Sequence, residues 1–299
     1  MTRRIHDRIA RLRFDGRGAG VIVNPAGTPQ PNRLRVSFDV ERTITGEPNT
    51  ARVAVWNLAD STRAQVGREY DAFVLEAGYG EPDGRVGILF AGQVRDVAHS
   101  RRPDGSVVTE FSCGDGDVAL QRATLATALP AGAALTDAVK QLHDALGLDR
   151  GEWDVPELTI TRPLQLVGSA RDALDELGRS HGFYWSVQNG ALDIRRADRA
   201  GAGVVHLAAH TGLVDVPVFT DDGAEITCAL DPALKPGHAV AVSSALAGLD
   251  RAAYRVAALT HSGDTHGGRF VSTIRGEPMR GRDVRPPRSR VAAGGRVDA

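Results

Sequence analysis

Hydrophobic and polar residues alternate along much of this chain, and the alternation gives way once, in the middle. In RLRVSFDVER (33–42), Leu34, Val36, Phe38 and Val40 fall on one side, and Arg35, Ser37, Asp39 and Glu41 on the other. A period of two belongs to a strand with one buried face. The same period runs through RVAVW (52–56) and SVVTEFSC (106–113), where Val107, Thr109, Phe111 and Cys113 share a face. Residues 70–79 and 86–98 read as two further strands around EPDG, a turn-forming segment. ADSTRAQV (59–66) reads as one short helix capped by Asp60 or Ser61. The first hundred or so residues therefore predict an antiparallel β region with turns at short intervals.

After Cys113 the period changes. Leu135, Val139, Leu142 and Leu146 form one helical stripe, which Gly147 can end in a left-handed turn. A second helix is predicted to open at Ser169, with Asp172 adding favourable charge in its first turn. Leu174 and Leu177 mark its apolar face and Gly182 its end. A hairpin follows: FYWSV, then Gln188-Asn189-Gly190, then ALDI. Asn-Gly between apolar runs is a strong hairpin signal, because both residues tolerate positive φ. Residues 115–200 thus read as a small α/β insert. From 203 to 276 alternation returns in VVHL, LVDVPVF, AEITCAL, HAVAVSS, YRVAALTH and RFVSTI, six candidate strands with Pro232 and Pro236 between them. The fold class expected is mainly β with an α/β insert.

The chain has 299 residues, enough for about two domains by the usual length prior. Its 42% hydrophobic content suffices for real cores, which the 5% aromatic content leaves mostly to Val, Leu, Ile and Ala. No apolar run approaches the ~20 residues of a membrane helix. The N-terminus, MTRRIHDRIARLRF, is charged throughout and lacks the apolar middle of a secretory signal, so a soluble protein made in a cytoplasm is expected. Cys113 and Cys228 could pair, but read first as two buried thiols. The formal charge of −1 is unevenly spread. Residues 1–17 and 280–299 each hold six Arg and two Asp, which leaves the body between them at −9. Such basic ends suit either docking onto acidic neighbours or plain solvation. After Pro278 the composition turns to Arg, Pro, Gly and Ala, which predicts a flexible tail unless a partner orders it.

The search for chemistry returns little. His261, Asp264 and His266 form H-x-x-D-x-H, residue types that can share a transition metal, but SGDTHGG reads first as a hairpin loop. CGDGDVAL (113–120) sets Asp115 and Asp117 beside glycines without the oxygen ladder of a calcium loop, and reads as a turn from strand to helix. Gly16, Gly18 and Gly20 lack the strand and helix that frame a dinucleotide fingerprint. Asp172, Asp175 and Glu176 read as the solvent face of a helix rather than paired catalytic carboxylates, and His181 sits where a helix dipole favours a cation. No catalytic residue, cofactor or metal ligand is assigned, and no enzyme is expected. Basic aromatic stripes for single-stranded nucleic acid are missing, and an acidic body disfavours wrapping DNA.

Several segments, in their order and spacing, resemble the baseplate hub proteins of tailed bacteriophages. They are EPNTARVAVWNL (47–58), VLEAGYG (74–80), ILFAGQV (88–94), CGDGDVAL, LVGSARDALDELGRSHGFYWSVQNG (166–190), TGLVDVP (211–217), CALDPALKPGHAV (228–240) and THSGDT. The resemblance spans about residues 30–277 and departs at Asp215, where the family pattern leads one to expect glycine. The hub half of type VI secretion spike proteins is a close relative; those chains usually continue into a needle, whereas this one stops at Ala299, which favours a separate hub.

The resemblance implies an N-terminal arm and first strands (1–30), a first β-barrel domain (31–114), the α/β insert (115–202), a second, related barrel (203–277) and the Arg/Pro-rich tail (278–299). It further implies a homotrimer whose six barrels adapt a sixfold tail tube to a threefold spike. The tube or distal tail protein would lie above and the spike below, with the tape-measure protein inside. DNA would only transit the lumen, without membrane insertion. Such a chain would reside in the virion baseplate after assembly in the host cytoplasm. The rival readings are a metal-dependent hydrolase using His261, Asp264 and His266, and a carbohydrate-binding tail-tip module with Trp153, Trp185 and Tyr79 as its platform.

Overall fold

The computed structural model describes residues 7–15, 20–66, 71–80 and 84–279, the side chains of residues 202 and 250 excepted. The first block comprises β1 (Arg8–Asp15), β2 (Val21–Val23), β3 (Val36–Thr43), β4 (Thr50–Trp56), helix α1 (Asp60–Arg63), β5 (Ala72–Tyr79), β6 (Val86–Arg101) and β7 (Val107–Gly114). The middle unit holds α2 (Asp117–Arg122), β8 (Thr124–Leu129), α3 (Leu135–Leu146), β9 (Asp149–Trp153), β10 (Leu164–Ser169), α4 (Ala170–His181), β11 (Phe183–Gln188) and β12 (Ala191–Arg196). The last block contains β13 (Gly201–Leu207), β14 (Val218–Thr220), β15 (Gly223–Ala229), β16 (His238–Ser244), β17 (Leu249–Asp264) and β18 (Phe270–Pro278). The chain is thus mainly antiparallel β, with a helix-bearing unit between two β regions.

The alternation read from the sequence becomes a buried face. Val36, Phe38 and Val40 of β3 are buried beside Ala51, Val53 and Val55 of β4 and Phe111 and Cys113 of β7. In α3, Leu135, Val139, Leu142 and Leu146 are all buried, and Gly147 is left-handed at φ 63°. The Ser169 hydroxyl accepts from the Asp172 amide at 3.3 Å, and Gly182 closes α4 at φ 71°. Between β11 and β12, Asn189 and Gly190 have φ of 56° and 84°, the pair of positive values that a two-residue type I′ turn requires.

Some local expectations are corrected. The cap of α1 is Ala59, with no side-chain bond; Asp60 lies inside the helix and pairs with Arg63. Within LVDVPVF only the end enters a strand, because β14 starts at Val218, directly after Pro217, which has no amide to donate. Asp215 does not adopt a positive φ, so it needs no glycine-like backbone there. The strand expected from Leu34 begins at Val36, and Leu34 instead bonds through its amide to Asn24 Oδ1 at 2.8 Å. Most of EPDG, the glycines Gly16 and Gly18, the extreme N-terminal arm and the Arg-rich tail from 280 onward lie outside the described residues.

Thirteen strands form one connected sheet, in the order β14-β15-β18-β17-β3-β4-β7-β6-β5-β1-β2, with β13 joined through β16 to β17. Strand β17 makes the connection. Its N-terminal half pairs with β16 (Tyr254↔Val240), its C-terminal half pairs on that edge with β3 (His261↔Val40), and β18 follows it along the other edge. Sixteen residues extend ~50 Å, enough to run through both blocks.

Three hydrophobic cores result. The first gathers Leu12, Phe14, Phe38, Phe73, Phe90 and Phe111, together with Leu230 and Phe270 from the last block. The second lies within the middle unit, between α3, α4 and the β11–β12 hairpin. The third is built from Ile226, Val240, Val242, Val256, Leu259 and Ile274 around Tyr254.

Candidate functional surfaces

Where the middle unit meets the sheet, the contact is polar and buried. Gly114 ends β7, and Asp115 follows it into the interior, where its carboxylate accepts the Asn189 amide at 2.6 Å and the Gly190 amide at 2.8 Å. Asn49 donates to the Val187 carbonyl at 2.6 Å and accepts from the Thr43 amide at 2.9 Å. The Arg42 guanidinium holds Gln188 Oε1 at 2.8 and 3.0 Å and reaches the Leu89 carbonyl, while the Ala91 amide donates to Asn189 Oδ1 at 2.9 Å. The Asn-Gly turn is therefore more than a local reversal: its tip is bolted to the first block. Burial pushes the Asp115 carboxyl up to about 6, against the downward pull of the two amides and the Arg42 charge. Burial likewise lowers Arg42. Asp117, its neighbour in CGDGDVAL, is buried at the start of α2 and pairs with Arg95.

A second polar seam joins the middle unit to the last block. Arg195 meets Glu152 at 2.6 Å and His238 Nε2 at 3.2 Å, with Asp193 at 3.5 Å. Arg255 of β17 donates to the Ala197 carbonyl at 2.8 Å and to Glu277 at 2.6 Å, and lies over the Tyr184 ring at 4.7 Å. Arg195 and Arg255 are buried while Glu152 and Glu277 keep contact with water, so the seam pairs each buried guanidinium with a partly solvated carboxylate.

The residues singled out for metal chemistry are not brought together. His261 is fully buried on β17, where its Nδ1 meets Ser272 Oγ at 2.7 Å. Burial, helped by the Arg42 charge, pushes its imidazole down to about 3, so it is neutral. Asp264 projects from the opposite face of the strand and is held by both nitrogens of the Arg35 fork, at 3.1 and 2.6 Å. His266 lies exposed in the β17–β18 turn beside Thr265. Among the described residues, no group of three His, Cys, Asp or Glu is placed to hold a metal ion.

The aromatic platform is not presented either. Trp185 is 3% exposed and donates to Asp175 at 2.8 Å; Tyr79 is buried and donates to the Phe270 carbonyl at 3.0 Å. Trp153 is half-buried, donating to the Leu192 carbonyl and packed edge-on to His143. Two of the three belong to the middle unit and one to the first core, so they share no surface. Cys113 and Cys228 are both free and buried, and burial raises each thiol to about 12.

What the described surface does offer is open sheet edge. The strand path ends at β14 and at β2, and each end carries an exposed apolar residue: Val218 at 61% and Ile22 at 54%. Val214 and Val216, just before β14, are exposed as well. Uncovered edges with apolar side chains are the kind of surface that a partner strand or chain covers. No helix among the described residues is long and apolar enough to cross a membrane.

This architecture has known counterparts. A 43 kDa tail protein of prophage MuSo2 from Shewanella oneidensis superposes with a TM-score of 0.63 at 13% identity, over 90% of this chain and 96% of that one. A tail protein from Neisseria meningitidis MC58 gives 0.61 at 11% identity, over 91% and 97%. The Escherichia coli c3393 protein, a component of the type VI secretion system similar in structure to the T4 bacteriophage tail proteins gp27 and gp5, gives 0.58 at 10%, over 92% and 79%. At such identities the likeness is one of fold. No curated protein sequence matches the chain. The model of one family, Baseplate hub gp41, matches residues 30–276, which takes in nearly all of the first block, the middle unit and the last block. The chain belongs to the baseplate hub gp41 family.

Proposed function

We propose that this protein is the structural hub of a phage tail baseplate or of a tail-like particle, acting by assembly rather than catalysis. Three copies form a ring, each contributing its first and last blocks as two related barrels, so that a threefold assembly offers six β modules. The tail tube or distal tail protein sits on one side of the ring and the spike on the other. The lumen passes DNA and accommodates the tape-measure protein. The hub is a virion component, assembled in the host cytoplasm.

The observation that carries this reading is that one chain of a baseplate hub family holds two separate β cores in a single sheet, joined by the shared strand β17. A head-to-tail contact between β14 of one copy and β2 of the next closes a ring if the rotation fits, and it covers both ends of the main strand path at once, leaving the β13 edge outside it. The buried polar seams support the same reading, since they fix the middle unit against both blocks and favour a rigid subunit. The test is the mass of the protein in solution, alone and with the spike protein of its own particle. Three copies in the assembly are expected. A stable monomer that joins neither spike nor tube would overturn the proposal.

A further inference from the structure

The middle unit carries a separate sheet of only two strands, β8 and β10, paired antiparallel from Thr124↔Ser169 to Leu129↔Leu164 with no register shift. One face of this ribbon is covered: Leu129 and Leu166 are buried in the second core, and Leu125 and Leu164 pack against it. The other face is open, with Val167 74% exposed opposite Ala126, and Gln165 exposed opposite Ala128. Among the described residues, no main-chain hydrogen bond links either strand to a third segment, so each keeps an outer row of free amides and carbonyls. Space is open beside β10, since a Cβ at Gly168 would meet nothing within 4 Å.

Exposed strand edges are normally blunted by charged side chains, proline or a bulge. The residues of β8 and β10, TLATAL and LQLVGS, include none of these. Arginine stands instead just beyond the ribbon at both ends. Arg122 lies by the Thr124/Ser169 end and Arg162 by the Leu129/Leu164 end; both are exposed, and neither has a hydrogen-bond or ion-pair partner among the described residues. Arg171, at the same end as Arg122, is already paired with Glu47 at 2.6 Å. We propose that the outer edge of β10 is a docking site for an extended segment of a partner protein, about six uncharged residues long with a carboxylate at each end. Main-chain hydrogen bonds to β10 and an apolar side chain laid beside Val167 supply the affinity, while Arg122 and Arg162 select the charges and fix the register. Six extended residues span ~20 Å, which sets the spacing of the two carboxylates. A second copy docked β10 to β10 is disfavoured, because antiparallel pairing brings the Arg162 end of each copy onto the Arg122 end of the other, like charge against like. The inference goes beyond the hub reading: it concerns the middle unit of a single chain and holds whether or not three copies form a ring.

The test titrates the full chain into labelled, end-capped octapeptides, six alternating Val and Thr between two terminal residues, and reads affinity by fluorescence anisotropy and location by hydrogen exchange. With Asp at both ends the peptide is expected to bind with a Kd of about 0.1–1 mM and to slow exchange in residues 164–169. With Lys at both ends it is expected to bind ~10-fold more weakly at low salt, the gap closing near 1 M salt, where screening acts within about 3 Å. An Asp-ended peptide with proline at its fourth and fifth positions loses an amide whichever way the strand faces, and is expected to bind at least ~10-fold more weakly than its parent. The pair Arg122→Glu, Arg162→Glu is expected to reverse the preference in favour of the Lys-ended peptide. No binding of the Asp-ended peptide at about 5 mM overturns the proposal. So do equal affinities of the Asp-ended and Lys-ended peptides at low salt, an undiminished proline peptide, and protection that falls outside residues 164–169. Protection of those residues without peptide, growing over a ~50-fold range of protein concentration, identifies a second copy as the occupant and overturns it as well. The peptide series needs no variant, so the outcome is decided even if the glutamate pair folds poorly.

Discussion

The first and last β blocks share one sheet yet are built from different material. Six of the chain's eight phenylalanines sit in the first core, where Phe14 lies 4.8 Å from Phe111 and 5.1 Å from Phe73, and Phe270 arrives from the last block to pack on Phe38 and Tyr79. The third core has Tyr254 as its one fully enclosed ring and otherwise relies on Val, Ala, Leu and Ile. Each buried aromatic removes some 150–250 Å² from water, so the first block has far more burial to hold it than the last. The last block also leaves more apolar surface outside, at Val204, Val214, Val216, Val218 and Leu246. The difference teaches a division of labour: a block with a dense aromatic core that the last block completes through Leu230 and Phe270, and a thinner one with more apolar surface available to a partner.

The largest effect expected from this contrast is in the cores. Phe111→Ala should cost about 3–5 kcal/mol, whereas Val242→Ala should cost about 1–2, scaled to the methyl groups removed. Chemical denaturation of both variants checks this, and equal losses would erase the contrast between the blocks. Next comes the bolt between the middle unit and the first block. Asp115→Ala leaves two part-buried amides without their acceptor, at about 1 kcal/mol each, and should speed hydrogen exchange at Asn189 and Gly190 first.

A smaller effect separates the two buried titrating groups by sign. The folded carboxyl of Asp115 titrates near 6, above its ordinary value, so its contribution is present at low pH and is lost as pH rises through about 6. The folded imidazole of His261 titrates near 3, below its ordinary value, so the unfolded chain takes up the proton first and stability falls as pH drops below about 6.5. Between about pH 4 and 6 the two slopes oppose each other at ~1.4 kcal/mol per pH unit each. Asp115→Asn should therefore steepen the loss of stability toward acid, and His261→Asn should reverse it, as followed by melting at several pH values. The smallest effect on the isolated chain is expected at the edge: Val218→Ser should change its stability by less than ~0.5 kcal/mol yet weaken assembly with other copies.

The middle unit was the most legible part of the sequence. The stripe from Leu135 to Leu146, the Ser169 cap and the Asn189-Gly190 turn are signals within a few residues of one another, and each lies where it was read. The sheet was legible as strands but not as a sheet. Nothing near His261 announces that β17 changes partner from β16 to β3, because that choice is made by residues over two hundred positions away. The same distance hid Asp115. Beside two glycines it read as a turn residue, while its partners are main-chain amides 74 and 75 residues on, which leave no trace in side-chain spacing. The H-x-x-D-x-H stretch reads first as a hairpin loop, and the β17–β18 turn falls there; on a strand, His261 and Asp264 point to opposite faces, which separates the residues of the weaker metal reading.

The most direct test of the hub reading is a density map of the assembled tail tip. The account predicts three copies of this chain in one ring, with first and last blocks alternating about every 60° around the axis and the β14 edge of each copy facing β2 of the next. A ring of six copies, or three copies with only one block of each turned toward the axis, would contradict it.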